Sequence, residues 1–356
     1  MYNKITFGID KTSLGGFTIN SINFKKLESM YKAKVSREPA KSLCVTENGE
    51  QFDHIKIKDE LMFKTFQAGY RLDKNKPFPV SYVIMDLSIA FIRGNNVIPL
   101  SINELTNHIK QVLRYLNEVY GVNCLGSLEN LKFRNIELNV NIPLKHKFRC
   151  YVRAFRNLMF VAPKTYTTKQ LYEKRKDEEI KTLMVENNTV SVKFYDKREQ
   201  VKKDYGFDIG NELLRVEYQL KTSQKIKDVF GSSSINHLTD SKIAAFISNQ
   251  FYKDFECKYY HAINENQKKL KKLIKASKKD GRYWIQNLGE RLWNAECQYT
   301  TPLLFDINDI SELIKLEDKK NYSRNWNNIL YDFPHVYQNQ HEKYNEIFKD
   351  IGKIKG

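Results

Sequence analysis

A chain of 356 residues is long enough for two domains, and an apolar content of 41% allows a sizeable core. Lysine and arginine total 59 against 42 acidic residues, a net charge of +17 that favours a polyanionic partner, most simply nucleic acid. No run approaches the ~20 apolar residues of a membrane span, the amino terminus lacks the apolar core of a signal peptide, and no lipidation motif is present, so a soluble intracellular protein is expected.

Residues 1–79 give short alternations only. Ile5, Phe7 and Ile9 alternate, so a strand is expected over Lys4–Asp10, and residues 73–79 read as a turn-rich connector. Residues 1–79 are accordingly set apart as an amino-terminal extension. From residue 80 the pattern sharpens. Ser81 to Ile92 reads as a strand. Ser101-Ile-Asn-Glu104 is a capping box opening a helix whose Leu105, Ile109, Val112, Leu113 and Leu116 fall on one stripe, with Gly121 just beyond. Leu131 to Ile142 alternates again, Glu137, Asn139 and Asn141 on one side and Ile136, Leu138, Val140 and Ile142 on the other. Lys147 to Met159 reads as a second helix, and residues 164–182 as a helix or an excursion.

Thr189 to Leu220 reads as two strands joined by a long polar loop. Lys193, Tyr195 and Lys197 share the polar face of the first strand, Arg215 and Glu217 that of the second. Residues 80–231 thus form an α+β core, a split βαβ arrangement on a mostly antiparallel sheet. Residues 232–356 read as a mainly helical module. In it, Gln267 to Lys279 is dense in lysine, with Lys268, Lys271, Lys272 and Lys275 either a solvated helix face or a track for nucleic-acid phosphates.

The five cysteines, Cys44, Cys124, Cys150, Cys257 and Cys297, form no CxxC pair, and there is no HxH, HExxH, P-loop or GxSxG motif. Zinc hydrolase, nucleotide hydrolase and serine hydrolase chemistry are unsupported. What remains is a tyrosine, lysines, an arginine and carboxylates on strands. That set suits phosphodiester chemistry: a hydroxyl nucleophile, cations for phosphate, and carboxylates for a hard metal such as magnesium or manganese, with Asn139 as a further oxygen donor. The plainer alternative stands beside it. A strand tyrosine ordinarily packs or hydrogen-bonds, and Glu137 and Glu217 would then be paired with Arg134 or Arg215.

Phe194-Tyr-Asp-Lys-Arg-Glu199, followed after a variable loop by Leu214-Arg-Val-Glu-Tyr-Gln-Leu220, resembles the end of the nicking domain in rolling-circle replication initiators of Gram-positive plasmids and conjugative elements, and in the related filamentous phage replication proteins. Arg134-Asn-Ile-Glu137 resembles their upstream strand, with glutamate where they carry aspartate. The resemblance covers roughly residues 80–255. It implies an HUH-endonuclease-like fold and metal-dependent, tyrosine-mediated nicking and rejoining of DNA at an origin. Tyr195 would be the nucleophile, with Lys197 assisting. Glu137 and Glu217 would bind Mg2+ or Mn2+, and Lys193, Arg215 and Arg134 would contact DNA. The implied partners are an origin hairpin, single-stranded at the nick, and the host helicase and polymerase. No membrane is involved, and the chain would act as a monomer or homodimer in the cytoplasm of a bacterial host. A mobilisation nickase of the relaxase kind and a non-catalytic origin-binding protein are the alternatives.

Overall fold

The computed structural model describes residues 4–29 apart from Thr18, 35–39, 53–59, 61–73, 76–124, 128–173, 180–284 and 341–355, with isolated positions between 287 and 327. In chain order the strands are β1 (Thr6–Gly15), β2 (Ser21–Ile22), β3 (Val35–Pro39), β4 (Asp53–Lys58), β5 (Thr65–Asp73), β6 (Lys76–Ser88), β7 (Val122–Asn123), β8 (Lys132–Pro143), β9 (Thr168–Glu173), β10 (Ile180–Glu186), β11 (Val190–Asp196) and β12 (Leu213–Leu220). The helices are α1 (Phe24–Ser29), α2 (Ile89–Arg93), α3 (Ile102–Tyr115), α4 (Val152–Val161), α5 (Lys197–Tyr205), α6 (Ser223–Phe230), α7 (Asp240–Phe251), α8 (Cys257–Lys278) and α9 (His341–Gly352). The chain divides into two compact units, one of residues 1–144, 186–247 and 355, the other of residues 145–185, 248–354 and 356.

The first unit is an α+β structure built on an antiparallel sheet in the order β3-β4-β5-β6-β1-β8-β12-β11. β6 and β8 both pair antiparallel with β1, so they run parallel to each other on either side of it, and the chain passes between them through α3. Alternation decides which way each strand faces. Ile136, Leu138, Val140 and Ile142 of β8 stand opposite Leu220, Tyr218, Val216 and Leu214 of β12, and all eight are fully buried. Val192 and Phe194 of β11 continue this apolar layer. Phe246 of α7 packs edge-on against Tyr218 and Phe230, with ring centroids 5.6 and 5.5 Å away. α3 starts at the capping box read from the sequence. Ser101 Oγ accepts from the Glu104 amide, and the Glu104 carboxylate accepts from the Ser101 amide.

Four expectations change here. Residues 1–79 are not an appendage: β1 is an inner strand, paired with β6 and β8, and the boundary expected at residue 80 falls inside β6. The strand expected to reach Ile92 ends at Ser88. Ser88 takes an extended conformation before α2, and Gly94, at φ +68°, closes the helix in the left-handed region. The long loop after β11 holds α5. Its start is capped by Asp196, whose side chain accepts from the Glu199 amide, and its end by Gly206. Residues 164–182 contain β9 and the start of β10 where a helix or excursion was expected, with 174–179 outside the described residues.

In the second unit a short turn over Phe148–Tyr151 leads into α4, and α8 and α9 carry aromatic cores. Tyr259 lies against Tyr344 and Phe348, and Tyr151 stacks on Phe155. Two phenols end on buried carboxylates, Tyr151 on Glu346 at 2.9 Å and Tyr166 on Asp254 at 2.7 Å. After residue 232 the described elements are helical, but the two units do not divide there: residues 186–247 belong to the first and residues 145–185 to the second. Of the helices expected at Tyr283–Leu292 and Ile307–Leu316, six and five positions respectively are described, and all of these are helical; the rest lie outside the described residues. No helix among the described residues is long and apolar enough to cross a membrane.

Candidate functional site

The second face of β1, β8, β12 and β11 is polar, and the register assembles it. Glu137 stands opposite Gln219, Asn139 opposite Glu217, and Asn141 opposite Arg215. On the other side of β12, Glu217 faces Lys193 and Arg215 faces Tyr195. Glu137, Glu217, Tyr195, Lys193 and Arg215 therefore share one sheet face. Two further members come from β1. Gly8 pairs with Asn139, Ile9 with Leu138, and Lys11, not Asp10, with Glu137. Asp10 is thus the extra residue of a β-bulge, and the bulge turns both Asp10 and Lys11 toward the polar face. The close approach at Gly8 has its own requirement. Its φ is +154°, and a Cβ there would meet the Leu100 carbonyl oxygen at 2.3 Å.

Asp10, Glu137 and Glu217 are all buried, and each offers a carboxylate oxygen within 4.8 Å of the others. Each is met by a cation of the same chain. Lys11 Nζ donates to Glu137 Oε2 at 3.0 Å, Lys193 Nζ to Glu217 Oε1 at 3.0 Å, and Arg215 to Asp10 Oδ2 at 3.1 Å. The Tyr195 hydroxyl donates to the other oxygen of Glu217, Oε2, at 3.0 Å. Burial and the neighbouring Glu217 charge raise the Glu137 carboxyl above its usual range. Burial acts the same way on Glu217, but Lys193 and Lys11 beside it outweigh that and bring it below its usual range. Tyr195 is 8% exposed, and its phenol is pushed well above the ordinary value by burial and by Glu217, against the pull of Arg215.

Oxygen ligands at this spacing are what a hard divalent cation takes. The cluster also holds atoms that the protein leaves unmatched. Asp10 Oδ1 and both polar atoms of the Asn139 side chain are buried without a hydrogen-bond partner. Such orphans cost about 1–3 kcal/mol each unless something else satisfies them. Three carboxylates and an unmatched amide oxygen on the same face could hold a metal ion.

Two residues expected to act at the nick, Arg215 as a DNA contact and Lys197 beside the nucleophile, are placed differently. Arg215 is fully buried and its fork is spent inside the protein, on Asn141 Oδ1 at 2.7 Å, Asp10, and the carbonyls of Asn96 and Val97 at 2.6 and 2.7 Å. It fixes Asp10 and the loop that crosses the polar face. Lys197 is not on the strand. It is the first residue of α5, fully buried, donating to Asn96 Oδ1 at 2.7 Å and Gln200 Oε1 at 2.8 Å. Its ammonium lies 5.9 Å from the centre of the Tyr195 ring. Burial, then the Arg215 charge, lower its pKa to about 6. Arg134 is exposed near the start of β8, and the partner of Glu137 is Lys11, not Arg134 or Arg215. Lys268, Lys271, Lys272 and Lys275 are exposed on α8, on the side opposite the buried Leu270 and Ile274.

Asp10 and Lys11 are the site residues that the sequence reading does not single out. Their signal lies in the alternation of Ile5, Phe7 and Ile9, which ends on an adjacent acid and base.

No family model matches this sequence, and no curated protein matches it. Among solved structures, one described as a rolling circle replication initiator protein from Geobacillus stearothermophilus aligns over 70% of this chain and 85% of that chain, at 12% identity and a TM-score of 0.35. A likeness that remote carries no argument about the site.

Proposed function

We propose that this chain is a DNA nicking and joining protein of the rolling-circle initiator kind, with Tyr195 as its nucleophile. The observation that carries this reading is the hydrogen bond from the Tyr195 hydroxyl to Glu217, within a cluster of three buried carboxylates suited to a divalent cation. The order of motifs supports it, the tyrosine strand followed by the arginine-glutamate strand, as does the arrangement of β6 and β8 about β1, which is compatible with a split βαβ unit.

In the reaction proposed, the Tyr195 oxygen attacks a backbone phosphorus and the bond from phosphorus to the 3′ oxygen breaks. The products are a 5′-phosphotyrosine and a free 3′-hydroxyl, which takes up the proton the phenol loses. One ester replaces another, so no nucleotide hydrolysis is needed, and the reverse step rejoins the strand. Glu217, already holding the phenolic hydrogen, orients Tyr195. Arg215 holds Asp10 in place. Asp10, Glu137, Glu217 and Asn139 would hold Mg2+ or Mn2+, which supplies positive charge beside the phenol and the phosphate. Lys197, low in pKa and facing the Tyr195 ring, is the candidate for passing a proton to or from the reacting oxygens. The free 3′ end would then serve a host polymerase at the origin.

The test is a covalent one. The parent protein with Mn2+ and a single-stranded oligonucleotide spanning the origin of its own replicon should give an adduct resistant to boiling in detergent. Tyr195→Phe should give none while still folding, since one hydroxyl is removed and Glu217 Oε2 loses its donor, a cost of about 1–3 kcal/mol. An adduct persisting in the Phe variant would move the nucleophile elsewhere, first to half-buried Tyr205 at the end of α5. No adduct from the parent would favour the second reading, a DNA-binding protein without chemistry. One observation favours that reading: every carboxylate of the cluster already has a cation of this chain beside it.

A further inference from the structure

The three cations around the carboxylates are not equivalent. Arg215 is locked, with no exposed surface and four acceptors from three parts of the chain. Lys11 and Lys193 each reach the cluster through one hydrogen bond, to Glu137 and Glu217 respectively. Their side chains keep 49% and 28% of their surface open to solvent. The ammonium groups are close enough to repel each other, yet both are held by the pooled charge of Glu137 and Glu217.

The charges balance in two ways. Three carboxylates are neutralised by Arg215, Lys11 and Lys193. They are equally neutralised by Arg215 and one divalent cation. Both lysines occupy carboxylate oxygens that a cation would need, Oε2 of Glu137 and Oε1 of Glu217, and Glu217 Oε2 is already engaged by Tyr195. Two ammonium groups and a divalent cation held against the same oxygens would meet as like charges at close range. A lysine on a flexible four-carbon stem can turn outward at little cost, whereas the buried guanidinium cannot.

Resting on the metal reading above, we propose that Lys11 and Lys193 are exchangeable counter-ions of this site. They stand in for the divalent cation while it is absent, leave together when it binds, and then serve as contacts for the phosphates of single-stranded DNA. The site becomes competent for phosphate only once the cation is in place, so cation binding and DNA binding reinforce each other.

The test uses Lys11→Met and Lys193→Met, singly and together, in a Tyr195→Phe background that prevents covalent attachment. Methionine keeps the length of the stem and removes the charge. Manganese affinity is read from the electron paramagnetic resonance signal of free Mn2+ at pH 8. DNA affinity is read from the fluorescence anisotropy of a labelled mixed-sequence single-stranded oligonucleotide, in Mn2+ and in EDTA. The double variant should bind Mn2+ several-fold more tightly, bind the oligonucleotide several-fold more weakly in Mn2+, and differ little from its parent in EDTA. A purely structural pair of lysines would predict the reverse for Mn2+, a weaker site in a less stable protein. Should the double variant fail to fold, Lys11→Met alone, with its exposed stem, should still tighten Mn2+. Unchanged or weaker Mn2+ binding in the variants, with a parent that binds Mn2+, would overturn the exchange and leave the metal reading standing. A parent that binds no Mn2+ would overturn both.

Discussion

On the polar sheet face a fully buried guanidinium and three buried carboxylates each hold a hydrogen-bonded partner within the chain, as does the buried Lys197 of α5, whereas on α8 Lys268, Lys271, Lys272 and Lys275 stand exposed along one side of a helix. Both regions are charged and the physics is opposite. A charge taken out of water must find partners of opposite sign or shift its protonation, and both occur here: Arg215 of β12 is surrounded by acceptors, and Lys197 of α5 is driven toward its neutral form. A charge left in water needs no partner and makes no demand on its neighbours. Charges of the first kind fix a geometry, and those of the second kind only set a field.

The largest expected effect breaks the buried side of this contrast. Arg215→Met should lower the unfolding free energy by about 3–5 kcal/mol, because it strands the Asp10 carboxylate in the interior. Adding Asp10→Asn should recover part of that loss, which a urea double-mutant cycle would measure. Lys271→Gln on α8 should stay within about 0.5 kcal/mol of the parent in the same assay. Similar losses from both would mean that α8 is not a free surface.

Next is the response to metal. Mn2+ at a hundred times its dissociation constant should raise the parent's stability by about 2.7 kcal/mol, and leave the double variant Glu137→Gln, Glu217→Gln unmoved in a thermal-shift titration. A smaller effect on stability, but a visible one on DNA, is expected on α8. Changing Lys268, Lys271, Lys272 and Lys275 to glutamine should weaken binding to all sequences alike, and flatten the log–log salt dependence by roughly 0.7–0.9 for each phosphate that is no longer neutralised. An unchanged slope would leave the stripe as a solvated face.

A pH-dependent effect sharpens the contrast at its edge. Burial raises the Asp196 carboxyl to about 6 even though it caps α5. The folded protein therefore keeps a proton there that the unfolded chain releases nearer 3.8. Its contribution to stability falls as pH rises between those values and stays low above about 6. Asparagine caps a helix as well and does not ionise. Relative to the parent, Asp196→Asn should thus gain stability at pH 7 that it lacks at pH 4, as read from urea midpoints at the two values.

How much of this is legible in the sequence depends on whether one period runs unbroken. Glu137, Asn139, Tyr195, Lys193 and Glu217 sit on uninterrupted alternation, and the sheet face they share follows from it. Lys197 is placed wrongly when the same period is extended one step past Asp196, where the strand ends and a helix begins. That helix carries a single buried apolar residue, Val201, so no amphipathic stripe announces it. Arg215 is on the expected face, but its burial depends on the carbonyls of Asn96 and Val97, which no local pattern relates to residue 215. Asp10 and Lys11 are hidden for another reason. A bulge breaks the period at the very residues it brings into the site.

That bulge is also the site's simplest point of gain and loss. The pairs from Thr6–Asn141 to Ile9–Leu138, and then from Lys11–Glu137 to Ser13–Asn135, are each regular, so Asp10 is one residue spliced into this part of the ladder. Losing its single codon would close the ladder without moving any neighbour to the wrong face. The ladder would be one carboxylate short, with the buried Arg215 guanidinium bereft of its acid at a cost of about 3–5 kcal/mol. On the metal reading proposed above, a three-nucleotide deletion would take one of the three candidate ligands from the site while leaving every other strand pairing partner on its own face.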